Sequence, residues 1–369
     1  MSRELTVQTP TESYPVYVGQ HVPVEPFLRQ VDRDGQDDPV VIMDEVVARH
    51  HLSQVRTLLG NRFVDERLMT VPSGEASKSI TEWSRLSDGM LNLGVRRNTP
   101  VVVIGGGVTG DLGGFVASTT MRGLPLIHMP TTLLAMVDSS IGGKTGINHT
   151  TGKNLIGSFY QPKAIFMNTG FLETLPEKEW INGLSEILKY GAIRDPKIFH
   201  RVESLFLQRD PDAGDPDLIP LIHDCATIKA SVVAEDEKES GLRMILNFGH
   251  TFGHALERHA GYRNLSHGEA VYIGMLAAVH LSNHLGGNLD PDQLLRFRSL
   301  YNPSAIALST PVDKLVKAMY QDKKRSSNRL KVVLLESWGE PIVRELGRTE
   351  PVVDAWKWAL NHFDEESVS

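Results

Sequence analysis

The chain has 369 residues, with 38 Lys and Arg against 45 Asp and Glu, a formal net charge of −7, 41% hydrophobic residues and 22% charged ones. Those values exclude a disordered or fibrous chain, leave room for two domains with sizeable cores, and argue against a broad surface for nucleic acid. The single cysteine, Cys225, excludes a disulfide framework, an iron–sulfur cluster and a multi-cysteine zinc site, and it fits a reducing compartment.

The N-terminus carries Arg3, Glu4 and Glu12 and no apolar run, so no secretory signal is read there. Residues 40–43 and 101–104 are compact β-branched runs, each followed by a polar or glycine-rich turn, and residues 124–129 are a third candidate strand. This is the pattern of βα units around a mostly parallel sheet. After about residue 175 the texture changes, and helices are expected over 183–190, 218–234, 251–259, 269–283 and 315–319, with few strand signals between them. The Pro/Asp-rich stretch 208–217 lacks the spacing of a calcium loop and reads as a solvated turn. The longest apolar stretch, 270–281, is too short to span a membrane and reads as a buried helix; the cytoplasm is the default address. Residues 364–369 read as a frayed tail, and no internal repeat is seen.

Gly105, Gly107 and Gly110 follow the second strand as G-x-G-x-x-G, a spacing that lets backbone approach a pyrophosphate at a helix N-terminus. A purely structural turn would use the same residues. No acid lies about twenty residues downstream to hold a ribose, and the nearest substitute is Asp44 at the end of the first strand. A second glycine-rich turn, 138–146, contains Gly143-Lys144-Thr145, but Asp138 stands where a triphosphate-binding loop needs glycine. A carboxylate there would repel phosphate, so a P-loop ATPase is excluded. What remains is a turn presenting Lys144, with Lys153 close behind. Such ammonium groups suit an anionic small molecule, or are plain surface lysines.

His250 and His254 are four apart and share a helix face, and His267 opens the next helix. Thr251 occupies the place of the glutamate a thermolysin-like site needs, which disfavours a metalloprotease. Glu186 lies among apolar residues with Lys189 three residues on, and a buried carboxylate needs a partner or a metal. A Glu/His/His set with an open position suits catalytic zinc. Core histidines plus a Glu186–Lys189 ion pair are the competing reading. His128, His200 and His280 have no such company and read as structural.

Taken together, these segments resemble the 3-dehydroquinate synthase family. The carrying stretches are SGEASKS from Ser73, GGGVTGDLGGFVAST from Gly105, MRG from Met121, MPTTLLAMVDSSIGGKTGIN from Met129, GKNLIGSFYQP from Gly152, GLSEILKYG from Gly183, EDEKESGLRMILNFGHTFGHALE from Glu235 and LSHGEAV from Leu265, with DKK at 322–324. The resemblance implies a Rossmann-like α/β nucleotide-binding domain over residues 1–175 and a mainly α-helical metal- and substrate-binding domain over 176–369. It implies NAD and a divalent metal, zinc or alternatively cobalt, held by Glu186, His250 and His267. NAD contacts would come from Asp44, Ser73, Gly74, Glu75, Lys78, Gly106, Gly107, Val108, Thr109, Gly110, Asp111, Thr131, Thr132, Lys144, Lys153, Phe171, Thr174, Leu175 and Glu179. The substrate and catalytic set would be Arg122, Asp138, Lys144, Asn154, Lys189, Lys229, Arg243, Asn247 and His254, with Lys323 or Lys324. Val46 stands where the family often has Asn, so one adenosine-side hydrogen bond is expected to be lost.

The implied reaction, in the shikimate pathway towards aromatic amino acids, converts 3-deoxy-D-arabino-heptulosonate 7-phosphate to 3-dehydroquinate and phosphate. It runs by transient oxidation with NAD, phosphate elimination, re-reduction and intramolecular aldol closure. A substrate bearing a carboxylate and a phosphate explains a basic site in an acidic chain. Arg243 would fork onto the carboxylate, and Lys144, Lys189 and Lys229 would act as point charges. His254 would relay a proton. The resemblance also implies a homodimer, with neither a membrane nor a nucleic-acid partner. The nearest alternative is another sugar phosphate cyclase of the same fold.

Overall fold

Apolar runs spaced along the first half of the chain become the middle of a parallel sheet. A computed structural model describes residues 2–31, 37–239, 241–260, 265–321 and 329–363. Its residues form two compact units: Met1–Pro176 with Asp212–Lys238, and Glu177–Pro211 with Glu239–Ser369.

The first unit holds β1 (Ser2–Gln8), β2 (Ser13–Gly19), β3 (Val40–Asp44), β4 (Leu68–Val71), β5 (Val101–Gly105), β6 (Leu126–Pro130), β7 (Lys144–His149), β8 (Gly152–Phe159) and β9 (Ala164–Asn168). Seven of them make one sheet in the order β1-β2-β9-β6-β5-β3-β4; β1 and β2 pair antiparallel and the other neighbours run parallel. β5, β6 and β9 are buried at every residue, as parallel strands covered on both faces must be. The period-two alternation of a strand divides them between two cores. Val41, Met43, Val102 and Ile104 pack on one side, and Val40, Ile42, Val101 and Val103 on the other.

The third strand starts at Leu126 rather than Leu124 because Pro125 has no N–H for the ladder. Lys144 and Lys153 lie on strands, not loops: Lys144 opens β7 and Lys153 is on β8, and the two strands form an antiparallel hairpin. The stretch 208–217 is a turn region whose acids are used locally. Asp212 accepts from the Gly214 N–H at 2.8 Å and Asp215 from the Asp217 N–H at 2.8 Å.

The helix Leu218–Glu235 corrects the reading of 176–369 as one domain, because it belongs to the first unit. Its buried face, including Leu221, Ile222, Cys225, Ala226 and Val233, packs against β1, and His223 Nε2 lies 3.4 Å from the Glu4 carbonyl. Hydrophobic demand from a sheet edge, not nearness in sequence, decided its placement.

His128 on β6 is 7% exposed, and burial pushes its imidazole down to about 4. The unfolded chain therefore takes up a proton near pH 6.5 that the folded chain refuses until about 4, so stability falls as pH drops through that window. The loss reaches about 3 kcal/mol at its lower end. His128→Leu is expected to flatten this part of the pH profile. Urea midpoints for both proteins at pH 7 and pH 4.5 check it, and parallel profiles would refute it.

Among the described residues the second unit is helical apart from one hairpin that the sequence reading did not include, the largely apolar β10 (Leu330–Ser337) with β11 (Glu340–Leu346). The helix Glu177–Ile193 is buried continuously from Asn182 to Ile193. The helix His267–His284 starts with a capping box, in which Ser266 accepts from the Glu269 N–H and Glu269 from the Ser266 N–H. It packs against both Glu177–Ile193 and His250–Ala260. Among the described residues no helix is long and apolar enough to cross a membrane.

Candidate active site

In the second unit, three helices each supply one side chain to a single cluster. Glu186 comes from the middle of Glu177–Ile193, His250 from the first residue of His250–Ala260, and His267 from the first residue of His267–His284. Glu186 is 1% exposed, and its two carboxylate oxygens face different groups. One oxygen, Oε2, is paired with the Lys189 ammonium. The other, Oε1, has no hydrogen-bond partner among the described residues and faces His250 Nε2 and His267 Nε2, each at 3.4 Å. The Glu186–Lys189 ion pair read from the sequence is therefore present, and it uses only one of the two carboxylate oxygens.

The remaining ring nitrogens are committed. His267 Nδ1 is 3.2 Å from Glu257 Oε1, and His250 Nδ1 is 3.2 Å from the Phe248 carbonyl. Metal-binding imidazoles are oriented in this way, with Nδ1–H given to a carboxylate or carbonyl and the Nε2 lone pair aimed at the ion. The donor set fits a divalent metal, since tetrahedral ligands at about 2.1 Å from zinc lie about 3.4 Å apart. The electrostatics fit as well. Burial pushes Glu186 up, but Lys189 and His250 more than offset it and hold the carboxyl well below its usual range. Burial pushes His267 down, yet Glu186 and Glu257 raise it to about 10, so the two carboxylates favour a positive charge at this ring, a proton where no metal ion is bound.

His254 stands beside the cluster, its ring centroid 5.4 Å from that of His250 and 6.5 Å from that of His267. It lines a pocket of about 380 Å³ together with Asn247, His250, Arg258 and Lys331. The Asn247 amide donates to Glu239 Oε1 at 3.0 Å, and Glu239 has a left-handed backbone, φ 58°. Arg243 is buried in the same turn, Leu242–Asn247. Glu239 and Glu257 were not read from the sequence as site residues, because their partners lie eight and ten positions away with no periodic signal.

The first unit brings together most of the residues read as cofactor contacts. β5 ends in Gly105, and the helix Gly107–Thr119 begins at Gly106 with no side-chain cap, so its first N–H groups are available to an anion. A Cβ on Gly106 would approach Thr132 to 3.0 Å and one on Gly107 the Ser139 hydroxyl to 3.0 Å, so the two glycines leave a bare backbone cradle. Among the described residues, the buried hydroxyls of Thr131 and Ser139 have no hydrogen-bond partner. These features fit a dinucleotide phosphate.

Lys78 is buried and bridges Asp111 Oδ2, at 2.6 Å, and Asn154 Oδ1. Burial pushes Asp111 up, with Lys78 opposing. Glu75 accepts from the Asn148 amide at 2.8 Å, which adds a residue the sequence reading omitted. Lys229 is buried and reaches Asp138, 2.9 Å from its Oδ1.

Asp44 is engaged within its own turn. Its Oδ1 accepts from the N–H groups of Val46 at 2.8 Å and Val47 at 3.2 Å and from the Ser73 hydroxyl at 2.6 Å, capping the helix Glu45–Leu59. Gly74 has φ 102°, and Thr109 is buried in the first turn of its helix with Val108 and Gly110 beside it. Phe171 is buried, and Thr174, just before Leu175, is bonded to His51 Nε2 at 2.6 Å. Glu179 lies in the second unit, where it accepts from Asn182 at 3.0 Å. Arg122 is exposed with φ 66°. Lys323 and Lys324, like the tail 364–369, lie outside the described residues.

Profiles of two protein domains match this chain: 3-dehydroquinate synthase N-terminal over residues 68–182, and 3-dehydroquinate synthase C-terminal over residues 183–325. The chain is 41% identical to the 3-dehydroquinate synthase of Nitrosospira multiformis over 346 residues, which cover 91% of this chain and 92% of that one. Among solved structures it is similar to the 2-epi-5-epi-valiolone synthase ValA from Streptomyces hygroscopicus with NAD+ and Zn2+ bound, with a TM-score of 0.81 at 25% identity, covering 96% of this chain and 98% of that one. It is also similar to a 2-deoxy-scyllo-inosose synthase complexed with carbaglucose-6-phosphate, NAD+ and Co2+, with a TM-score of 0.77 at 25% identity, covering 96% and 99%. The motifs, the glycine cradle and the Glu/His/His cluster agree with these matches, and the chain belongs to the 3-dehydroquinate synthase family.

Proposed function

We propose that this protein is an NAD- and metal-dependent lyase that converts 3-deoxy-D-arabino-heptulosonate 7-phosphate to 3-dehydroquinate and phosphate. The observation that carries the reading is the convergence of Glu186, His250 and His267, with both outer imidazole nitrogens oriented, in a chain of this family. Glu186, His250 and His267 would hold the metal. The Gly105–Gly107 turn, with Thr131, Lys78 and Asp111 around it, would hold the dinucleotide. When bound, NAD supplies a reversible hydride acceptor, and the divalent ion supplies Lewis acidity that favours an ionised hydroxyl.

The chain's own side chains do the rest. Arg243 presents a planar fork to the substrate carboxylate, and Asn247, braced by Glu239, orients a hydroxyl. His254, on the pocket wall beside His250, moves the proton of the hydroxyl being oxidised. Lys144, Asn154, Arg122 and one of Lys323 or Lys324 would complete the substrate-binding set that the family resemblance implies. Lys229 shares its charge with Asp138, and Lys189 keeps Glu186 ionised. A bound, folded-over sugar chain supplies the proximity that the final ring closure needs. A cytoplasmic homodimer belongs to the same reading, and light scattering on the purified chain tests the dimer.

The deciding assay incubates purified protein with the heptulosonate phosphate, catalytic NAD and zinc, and follows phosphate and dehydroquinate together. Equal release with no net NADH is expected. Net NADH would point to a dehydrogenase, and turnover only of other phosphorylated sugars would point to the neighbouring cyclases. Lys144 is exposed at the start of β7, so Lys144→Ala should lower kcat/KM about a hundredfold and leave the melting temperature unchanged. An unaltered rate would remove Lys144 from the site.

A further inference from the structure

Beside two of the three metal-site side chains runs a buried chain of hydrogen bonds. Ser185 precedes Glu186, and Gly268 follows His267. The Ser185 hydroxyl donates to the Gly268 carbonyl at 2.7 Å, and the Tyr301 hydroxyl lies 2.9 Å from Ser185 Oγ. The Ser185 hydroxyl is the donor in these contacts, with the Ile181 carbonyl a more distant acceptor at 3.4 Å, so its one proton is shared among acceptors that include the Tyr301 oxygen. From the other side, the Gly268 N–H donates to Asn182 Oδ1 at 2.9 Å. Both backbone polar groups of Gly268 are thus tied to the helix that carries Glu186.

The approach is close. A Cβ on Gly268 would lie 2.6 Å from Asn182 Cα and 3.0 Å from Ser185 Oγ. Tyr301 is in turn immobilised by a face-to-face stack on Tyr272, with centroids 3.9 Å apart and planes 6° from parallel. Ser185 is fully buried and Tyr301 is 4% exposed. Neither hydroxyl touches the Glu186 carboxylate's free oxygen or an imidazole, so their effect on the cluster runs through the backbone.

We propose that Tyr301 and Ser185 are positioning residues for the metal site: through Gly268 they set the separation between the Glu186 carboxylate and the His267 imidazole. The inference rests on the metal reading of Glu186, His250 and His267. A three-ligand site tolerates little error in donor spacing. Here the register between two helices, which bears on the 3.4 Å span from Glu186 Oε1 to His267 Nε2, is held on the carbonyl side of Gly268 by the Ser185 hydroxyl, with the Tyr301 phenol packed against it, and on the N–H side by Asn182. If the chain of bonds served stability alone, removing a hydroxyl would lower the melting temperature and leave metal affinity untouched.

The test titrates the full-length, metal-stripped protein with zinc against a chromophoric chelator, and records the cobalt absorption spectrum. Tyr301→Phe, Ser185→Ala and their double variant are compared with Ser282→Ala. Ser282 is a buried serine farther along the His267–His284 helix, and its oxygen accepts from the Leu335 N–H at 3.0 Å. Each of the first two variants should bind zinc about tenfold more weakly and shift the cobalt bands, with turnover restored by excess zinc. The double variant should be within about twofold of the weaker single, because the two hydroxyls form one chain. Ser282→Ala should melt earlier with unchanged zinc affinity.

Unchanged affinity in both single variants would overturn the proposal, and so would an equal loss in Ser282→Ala. Should Ser185→Ala fail to fold, Tyr301→Phe decides alone, since it keeps the ring and its stack. If the unaltered chain bound no zinc at one-to-one stoichiometry, the metal reading itself would fall, and this inference with it.

Discussion

His250→Ala is expected to abolish zinc binding and turnover together. On the proposed metal reading His250 would supply one of three protein donors, and its Nε2 is 3.4 Å from the Glu186 oxygen that also faces His267. Removing it leaves two donors and a void where the third stood, so zinc affinity should fall by more than about a hundredfold. The fold should survive. His250 is the first residue of its helix, and the hydrogen bond it loses goes to the carbonyl of Phe248, two residues back. A lost bond of that kind costs about 1 kcal/mol. Metal content by atomic absorption, turnover with and without added zinc, and a melting curve separate these effects. Full turnover in the zinc-depleted variant would end the ligand assignment. Loss of turnover with zinc still bound at normal affinity would recast His250 as a contact to substrate.

Gly274→Ala is expected to cost more stability than any other single methyl group considered. The helices His250–Ala260 and His267–His284 pack with no side chain between them at Gly274. A Cβ there would lie 2.1 Å from the Gly249 carbonyl oxygen and 2.8 Å from the Gly253 nitrogen. Both are backbone atoms that cannot swing aside, so the helices must part. The void opened around them should bring the loss to about 3 kcal/mol or more. Gly249 immediately precedes His250, so the displacement also reaches the metal cluster and zinc affinity should fall with stability. Urea unfolding and zinc titration of the same variant check both. A melting temperature within about 2 °C of the unaltered protein would show that the crossing is looser than these contacts require.

Local information was enough for much of the architecture. The runs at 101–104 and 40–43 are apolar at every position, which only a strand covered on both faces tolerates, and they became β5 and β3, both interior strands of the sheet. The glycines after β5 announced a turn where backbone must lie bare, and the uncapped helix that follows begins at Gly107. The length and purity of 270–281 announced a buried helix. Each of these follows from backbone sterics and side-chain periodicity within about a dozen residues.

Other features were silent. The β1–β2 hairpin mixes Arg3, Glu4 and Gln8 with its apolar residues because β1 is a sheet edge with one exposed face. The hairpin β7–β8 carries Lys144 and Lys153 on exposed positions, so its residues resemble loop residues.

By itself, the sequence determined the strands β3, β5 and β6 and the helical stretches 183–190, 218–234, 251–259, 269–283 and 315–319, where backbone must stay bare of side chains, and which carboxylate and imidazoles were candidates for a cation. Those outcomes depend on short-range sterics and on burial patterns repeated along a single element. Only the tertiary structure decided that Glu186 gives one oxygen to Lys189 and keeps the other for His250 and His267, that Glu257 orients His267, and that Tyr301 reaches Ser185 across 116 positions. It also decided that the helix Leu218–Glu235 joins the first unit. Such pairings depend on which surfaces come to lie against each other when apolar faces are buried, and no local pattern encodes that choice.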